Sequence, residues 1–316
     1  MILFYLNSKV ISGHEYMFKR IYNQYEFSKI LLNRITLSNL RLLFNRNIII
    51  SAGSPRQNLF LIFFASFLCK QVFVYTPFGF DLVYFKIKFP HFKNLIYEIL
   101  MQKKNISFVT CSNEQKKYLQ KRFPGKQIFV VRNYYLNSTK SDEQLNLKKS
   151  KIYYVGRIEE NQKNVGFFIE LKRMINLEII LIGSCSSNSL INKLKISGIS
   201  IQEESINPYA NISTNDLIIL PSIYEGAALV VIEAAHLGIP IFLYNSIGNR
   251  KITDNPILFE NYDELVELIS LFEQNDKGLK ERILKFRKEV VNEYCIKSFL
   301  DDIKILTSKL NDLNEK

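Results

Sequence analysis

Short apolar runs of strand length alternate with longer amphipathic or wholly apolar stretches along most of the chain, a pattern that predicts α/β architecture. The clearest unit runs from Asp216 to Leu243. Leu217 to Leu220 is an apolar run ended by Pro221 and Ser222, and a loop, Ile223 to Gly226, follows. An almost unbroken apolar helix is expected from Ala227 to Leu237. Gly238 supplies its stop, Pro240 prevents continuation, and a strand begins at Ile239. Strand, loop, helix, strand is one βαβ unit of a parallel sheet.

The first half shows the same alternation. Strands are expected at Ile2 to Leu6, Ile48 to Ile50, Val72 to Tyr75, Ser107 to Thr110 and Gln127 to Val131. Helices are expected from about His14, near Gln57 to Lys70, over Phe92 to Lys103, and after Ser112, which with Gln115 reads as a capping box. The stretch Asn137 to Lys151 lacks apolar periodicity and reads as a linker. Beyond it come strands at Ile152 to Val155, Glu178 to Ile182 and Ile199 to Ile201, with helices at Val165 to Ile175 and Ser189 to Leu194. Helices fill the chain from Tyr262, the last one spanning Ile296 to Leu310 and expected to cross back to the first domain. The 316 residues therefore divide into two doubly wound, Rossmann-like domains, 1–147 and 148–316, facing a cleft.

Charge sharpens this division. Residues 1–147 hold 21 Lys and Arg against 7 Asp and Glu, a balance of +14; the remainder holds 21 against 23, or −2. An anionic partner for the first half follows, such as a membrane surface or a phosphorylated acceptor. Lys86, Lys88, Lys93, Lys103, Lys104, Lys116, Lys117, Lys121 and Arg122 lie close in sequence, with Tyr84, Phe85, Phe89 and Phe92 among the first of them. Such a stretch suits an anionic bilayer, although aromatic residues at this spacing also suit a core. No aromatic–basic module of a nucleic-acid binder is present. Cys69, Cys111, Cys185 and Cys295 are far apart in apolar surroundings and read as buried thiols of a reducing compartment. The opening MILFYLNS reads as a first strand, and the longest apolar run, Leu59 to Cys69, falls short of a membrane span. A cytoplasmic protein, at most peripheral on the inner face of the membrane, is the expectation.

Candidate chemistry gathers in the second half. Glu225 sits in the loop before the apolar helix, and Glu233 lies within that helix. A helix apolar on every side is normally buried, and a buried carboxylate needs a donor. Glu233 is either a core glutamate paired with a lysine or backbone amide, or a carboxylate that accepts both hydroxyls of a ribose. Gly156 and Arg157 follow the strand Ile152 to Val155, with Lys163 six positions after Arg157. Arg157, Lys163 and the amides of Gly226, Ala227, Ala228 and Leu229 could enclose a diphosphate. Arg157 and Lys163 are equally readable as ordinary solvated charges.

Taken together, Glu225 and Glu233 with seven residues between them, the preceding Pro221-Ser222, Val155-Gly156-Arg157 and Lys163-Asn164 resemble family 4 of the glycosyltransferases, which have the GT-B fold. Ser12 to Glu15, SGHE, is similar to that family's Gly-rich first loop with one glycine missing. Val131-Arg132-Asn133, Leu181-Ile182-Gly183 and Gly238-Ile239-Pro240 also match. The resemblance implies transfer of a sugar from a nucleotide diphosphate donor to an acceptor hydroxyl with retention. Arg157 and Lys163 would neutralise the leaving diphosphate, Glu225 would hold donor-sugar hydroxyls and Glu233 the ribose, with Gly13 and Gly156 close to substrate. No D-x-D motif occurs, so no metal and no further cofactor is expected.

Two positions depart from the family. Where it often carries His-Gly-x-Asp, this chain has Phe78-Gly79-Phe80-Asp81, leaving Thr76, Asp81 or His14 to replace the histidine beside Phe78. The family's Glu-Gly-Phe-Gly is Glu225-Gly226-Ala227-Ala228 here. The leading expectation is a glycosyltransferase of bacterial surface polysaccharide synthesis (O-antigen, capsule or lipopolysaccharide) acting on a lipid-linked saccharide. A non-catalytic GT-B subunit that binds nucleotide sugar or supports a partner transferase is the alternative.

Overall fold

The structure is a computed structural model that describes residues 2–5, 13–24, 29–32, 41–51, 55–76, 96, 98–135, 151–185, 187–246 and 248–315. Two compact units make it up: Met1–Asn133 with Ile296–Lys316, and Tyr134–Cys295. The division thus falls after Asn133, and the 147/148 boundary lies outside the described residues.

The first unit is built on strands β1 (Ile2–Tyr5), β2 (Lys29–Leu32), β3 (Asn47–Ser51), β4 (Gln71–Tyr75), β5 (Ile106–Thr110) and β6 (Ile128–Val130), all parallel, in the order β2-β1-β3-β4-β5-β6. Strand β2 has no counterpart in the expected elements. It is a four-residue edge strand beginning with lysine, and its pairing with β1 rather than its own pattern defines it. Helices α1 (Gly13–Gln24), α2 (Pro55–Leu68) and α3 (Asn113–Arg122) accompany the sheet. Ser112 caps α3 by accepting from the Gln115 amide, while the Gln115 side chain accepts from the Cys111 amide.

Buried strands need apolar residues on both faces, and β5 is buried throughout. Its core is formed by Ile48, Ile50, Val72, Val74 and Phe108 with Ile62, Ala65 and Leu119. Two of the expected buried thiols, Cys69 and Cys111, are buried, and burial pushes the Cys69 thiol up to about 12. Cys185 and Cys295 are only half-buried, and none of the four forms a disulfide.

The second unit has strands β7 (Ile152–Val155), β8 (Ile179–Ile182), β9 (Ser200–Gln202), β10 (Leu217–Leu220), β11 (Ile241–Tyr244) and β12 (Leu258–Phe259), again parallel, ordered β12-β11-β10-β7-β8-β9. Helices α4 (Phe167–Met174), α5 (Asn188–Ile196), α6 (Leu229–Leu237), α7 (Tyr262–Glu273) and α8 (Lys277–Glu293) cover it. Side chains cap three of them: Ser187 for α5, Asn261 for α7 and Asp276 for α8.

The last helix, α9 (Ile296–Glu315), groups with the first unit. There Asp302 accepts a forked pair from the Arg132 guanidinium, at 2.8 Å for each oxygen, and a third bond from the Arg132 amide. A carboxylate only 6% exposed is thereby fully matched to a planar donor.

Candidate active site

In open parallel sheets the crevice lies outside the carboxyl ends of the strands, where the strand order reverses. In the second unit the chain starts at β7, proceeds outward to β8 and β9, and returns to β10 on the other side of β7. The loops after β7 and β10 therefore emerge side by side.

The loop after β7 is shaped by close backbone approach. Gly156 has φ +145°, and a Cβ on Gly183 would stand 1.9 Å from the Gly156 carbonyl oxygen, so both positions need glycine. The buried Tyr154 hydroxyl donates to the Arg157 carbonyl at 2.7 Å and holds the turn. Burial, with the Glu225 carboxylate adding to it, keeps the Tyr154 phenol well above its ordinary pKa.

Gln162 then joins the two loops. It is buried, its carbonyl accepts from the Ile223 amide at 2.9 Å, and its side chain donates to the Tyr224 carbonyl at 3.3 Å. Arg157 donates to the Gln162 side chain at 3.2 Å and also faces Glu159 at 3.4 Å. These bonds bring the Lys163 ammonium to Glu225 Oε1 at 2.5 Å, with side-chain exposures of 15% and 6%. At that burial neither is an ordinary solvated charge: removing one partner would strand the other. Arg157, at 55% exposure, remains largely open to solvent.

A third loop supports Glu225 from behind. A Cβ on Gly248, in the turn after β11, would stand 1.8 Å from the Glu225 carbonyl oxygen. The following turn, Asn249–Lys251, is a short 3-10 helix. Helix α6 begins just past Glu225 with Ala228 as its N-cap, and no side chain caps it. Its first amides carry the positive end of the helix dipole. Gly226, Ala227 and Ala228 are buried and Leu229 is half-buried. At the other end Gly238 adopts φ +74°, its amide reaching Ala235 and the Ile239 amide reaching Ala234.

Glu233 departs from the expected burial. It is half-buried on the same face of α6 as Leu229 and Val230, three and four residues before it. One partner is a tyrosine: the Tyr209 hydroxyl donates to Glu233 Oε2 at 2.6 Å. Tyr209 is buried, and burial together with the Glu233 carboxylate holds its pKa well above the ordinary value, so it stays a donor.

Gly156, Arg157, Lys163, Glu225 and Gly226 to Leu229 thus converge at the ends of β7 and β10, and Glu233 follows about one turn along α6. Candidates in the first unit are less fully defined. Gly13 is the first residue of α1, and Thr76 is buried directly after β4, its amide donating to the Val109 carbonyl at 2.7 Å. The His14 side chain, Phe78 and Asp81 lie outside the described residues. Sequence reasoning missed Gln162, Tyr209 and Gly248. Gly248, in a loop just past a predicted strand, offered a signal; Tyr209 and Gln162 offered none.

Residues 137–289 match the family model of glycosyl transferases group 1. The matched span lies within the second unit, around the loops just described. Amylovoran biosynthesis glycosyltransferase AmsD of Erwinia amylovora is 25% identical over 150 residues, covering 43% of this chain and 42% of AmsD. Among solved structures, Anabaena HepE in complex with UDP and glucose superposes with a TM-score of 0.70 at 12% identity, over 98% of this chain and 99% of that one. TarM of S. aureus, solved with UDP, gives 0.64 at 17% identity, over 85% of this chain and 57% of TarM. The chain therefore spans less than half of AmsD and a little over half of TarM. The two parallel sheets are those of the GT-B fold, and the family match covers just under half of the chain.

Proposed function

We propose that this protein is a glycosyltransferase that moves a sugar from a nucleotide diphosphate donor to an acceptor hydroxyl in the assembly of a bacterial surface polysaccharide. The observation that carries the reading is the part-buried Lys163–Glu225 pair at the switch point of the second sheet, beside Arg157 and the uncapped start of α6. A departing diphosphate gains negative charge, and fixed cations and helix amides lower the barrier most when they are already in place. Lys163 and Arg157 fill that role here, without a metal. When the diphosphate takes over Lys163, Glu225 is released to accept hydroxyls of the donor sugar. Glu233, oriented by Tyr209, accepts the ribose hydroxyls. Retention of configuration follows from the resemblance to family 4, and the name of AmsD supports the polysaccharide pathway. The acceptor is a lipid-linked saccharide taken by the basic first unit at an anionic membrane surface. UDP is the first nucleotide to test, because HepE and TarM were solved with it.

Two assays test the reading. Glu225→Ala is expected to lower kcat by about a hundredfold or more while the Kd for bare nucleoside diphosphate stays within about twofold. Equal loss of both would reverse the assigned roles. Turnover is expected to survive EDTA; complete loss restored by Mg²⁺ or Mn²⁺ would refute metal independence. Phe78, standing where the family often has histidine, favours the non-catalytic alternative, which predicts nucleotide-sugar binding without any turnover.

A further inference from the structure

Helix α2 of the first unit is largely apolar from Leu59 on, yet among the described residues only one side is covered. Ile62 and Ala65 are fully buried against the sheet. Phe60, Phe63, Phe64 and Phe67 recur at the spacing of one helix face and are 73%, 41%, 39% and 65% exposed. Their rings pack on one another at 4.9 to 5.5 Å between centroids, so the stripe is continuous. Phe44, 71% exposed, precedes Asn45, whose amide donates to the Leu68 carbonyl at the end of α2. Ile99, 59% exposed, lies one turn before Lys103, whose ammonium sits 3.0 Å above the Phe67 ring. A contiguous apolar patch of this kind marks an interaction surface.

The charges around it select the partner. The chain has no Asp or Glu between Glu26 and Asp81. Arg46 and Lys70 meet at the C-terminal end of α2, where the Lys70 amide donates to the Arg46 carbonyl. Lys126 is bonded to the Lys103 carbonyl on the neighbouring side. Across the whole unit, 24 Lys and Arg stand against 9 Asp and Glu, while the second unit holds 18 against 21. Glu98, next to Ile99, is paired with Arg122. A patch of aromatic rings with a mainly cationic rim among the described residues fits an anionic bilayer, the rings at the level of the headgroups and the lysines on their phosphates. Two copies meeting face to face through this stripe would instead oppose two such rims.

We propose that the phenylalanine face of α2 docks the first unit on a bilayer containing anionic phospholipid. The residues that carry it are other than the lysine- and aromatic-rich stretch Tyr84 to Lys93, which lies outside the described residues. It deepens the lipid-linked part of the proposed function and does not depend on the donor chemistry.

Co-sedimentation of the full chain with phosphatidylcholine vesicles, with and without phosphatidylglycerol, tests it. Binding is expected only with the anionic lipid and falls as salt rises. The double variant Phe60→Ser/Phe67→Ser is expected to lower the partition coefficient by about tenfold or more, with the melting temperature and nucleotide affinity unchanged; Lys103→Glu is expected to weaken binding and flatten its salt dependence. The chain contains no tryptophan, so Phe60→Trp provides a single reporter whose emission is expected to shift to the blue on anionic vesicles. Absence of binding at low salt, or binding that the double variant leaves intact, would overturn the proposal. So would a dimer in sedimentation that the double variant abolishes, which would make a second copy the occupant. A lowered melting temperature in the double variant with vesicle binding intact would equally overturn it, since the face would then be covered by this chain itself. Loss of vesicle binding with nucleotide binding retained separates this proposal from the transferase reading.

Discussion

Two helices of this protein read alike and end differently. Helix α6 contains one charged residue, Glu233, and α2 contains one, Arg56 near its start. Apolar residues around the full circumference predict burial for both. In α6 that holds for Val231, Ile232, Ala234 and Ala235, all at most 3% exposed. In α2 it holds only for the side toward the sheet, and four phenylalanines stay open. Composition reports that a helix avoids water; it does not report which neighbour removes the water. For α6 the neighbours are elements of the same unit, β11 and α8 among them. For α2 they are missing from the outer side among the described residues.

The largest test of this contrast is Ile232→Ala. Ile232 is fully buried in α6, so its truncation is expected to cost about 2–5 kcal/mol of unfolding free energy in denaturant titration. A loss below about 0.5 kcal/mol would mean that α6 is no better packed than the outer side of α2.

Smaller, and specific to the open face of α6, is Tyr209→Phe. It deletes the hydroxyl that donates to Glu233 and is expected to cost about 1 kcal/mol of stability. Nucleotide affinity is expected to fall by up to about tenfold, since Glu233 loses its orientation. Calorimetry reads both, and unchanged affinity would separate Glu233 from the nucleotide.

The last turn of α6 gives a pH test. His236 is buried, its Nε2 lies 3.1 Å from the Tyr294 carbonyl, and its pKa lies below the ordinary 6.5 because burial, and to a lesser extent Arg287, disfavours the imidazolium. The stability that His236 supports is present above pH 6.5. It is lost as pH falls below that value, because the unfolded chain takes up the proton first. Melting curves at pH 7.5 and 5.5 should therefore differ less for His236→Gln than for the native chain, and an equal difference would refute this assignment.

The smallest effect is expected on α2. Phe60→Ser should leave stability within about 0.5 kcal/mol, because the ring is already in water. A larger loss would show that the face is covered in solution.

Much of this was legible in the sequence. The parallel strands announced themselves as short Val-, Ile- and Leu-rich runs, and Gly238 marked the end of α6 as it stands. Strand β2 and the two-residue β12 were not legible, because such short edge pieces exist through their partners. At the site, residue types and spacing pointed to Glu225, Arg157 and Lys163, but the 2.5 Å pair between Lys163 and Glu225 joins residues 62 positions apart. The adjacency of β7 and β10 creates it. Glu233 was expected to be buried because the helix around it is apolar, yet three- and four-residue spacing puts it on the face shared with Leu229 and Val230. Tyr209, 24 positions before Glu233, carries no local pattern that announces a carboxylate partner.

The central claim is that the loops after β7 and β10 hold a nucleotide diphosphate. Isothermal titration with UDP, GDP, ADP and CDP tests it without knowledge of sugar or acceptor. One of the four is expected to bind with a Kd on the order of micromolar to tens of micromolar. Lys163→Gln, which keeps a neutral donor beside Glu225 and removes the charge, should weaken that binding by about tenfold or more. No heat from any of the four at concentrations on the order of millimolar, or equal affinity in Lys163→Gln, would contradict the account.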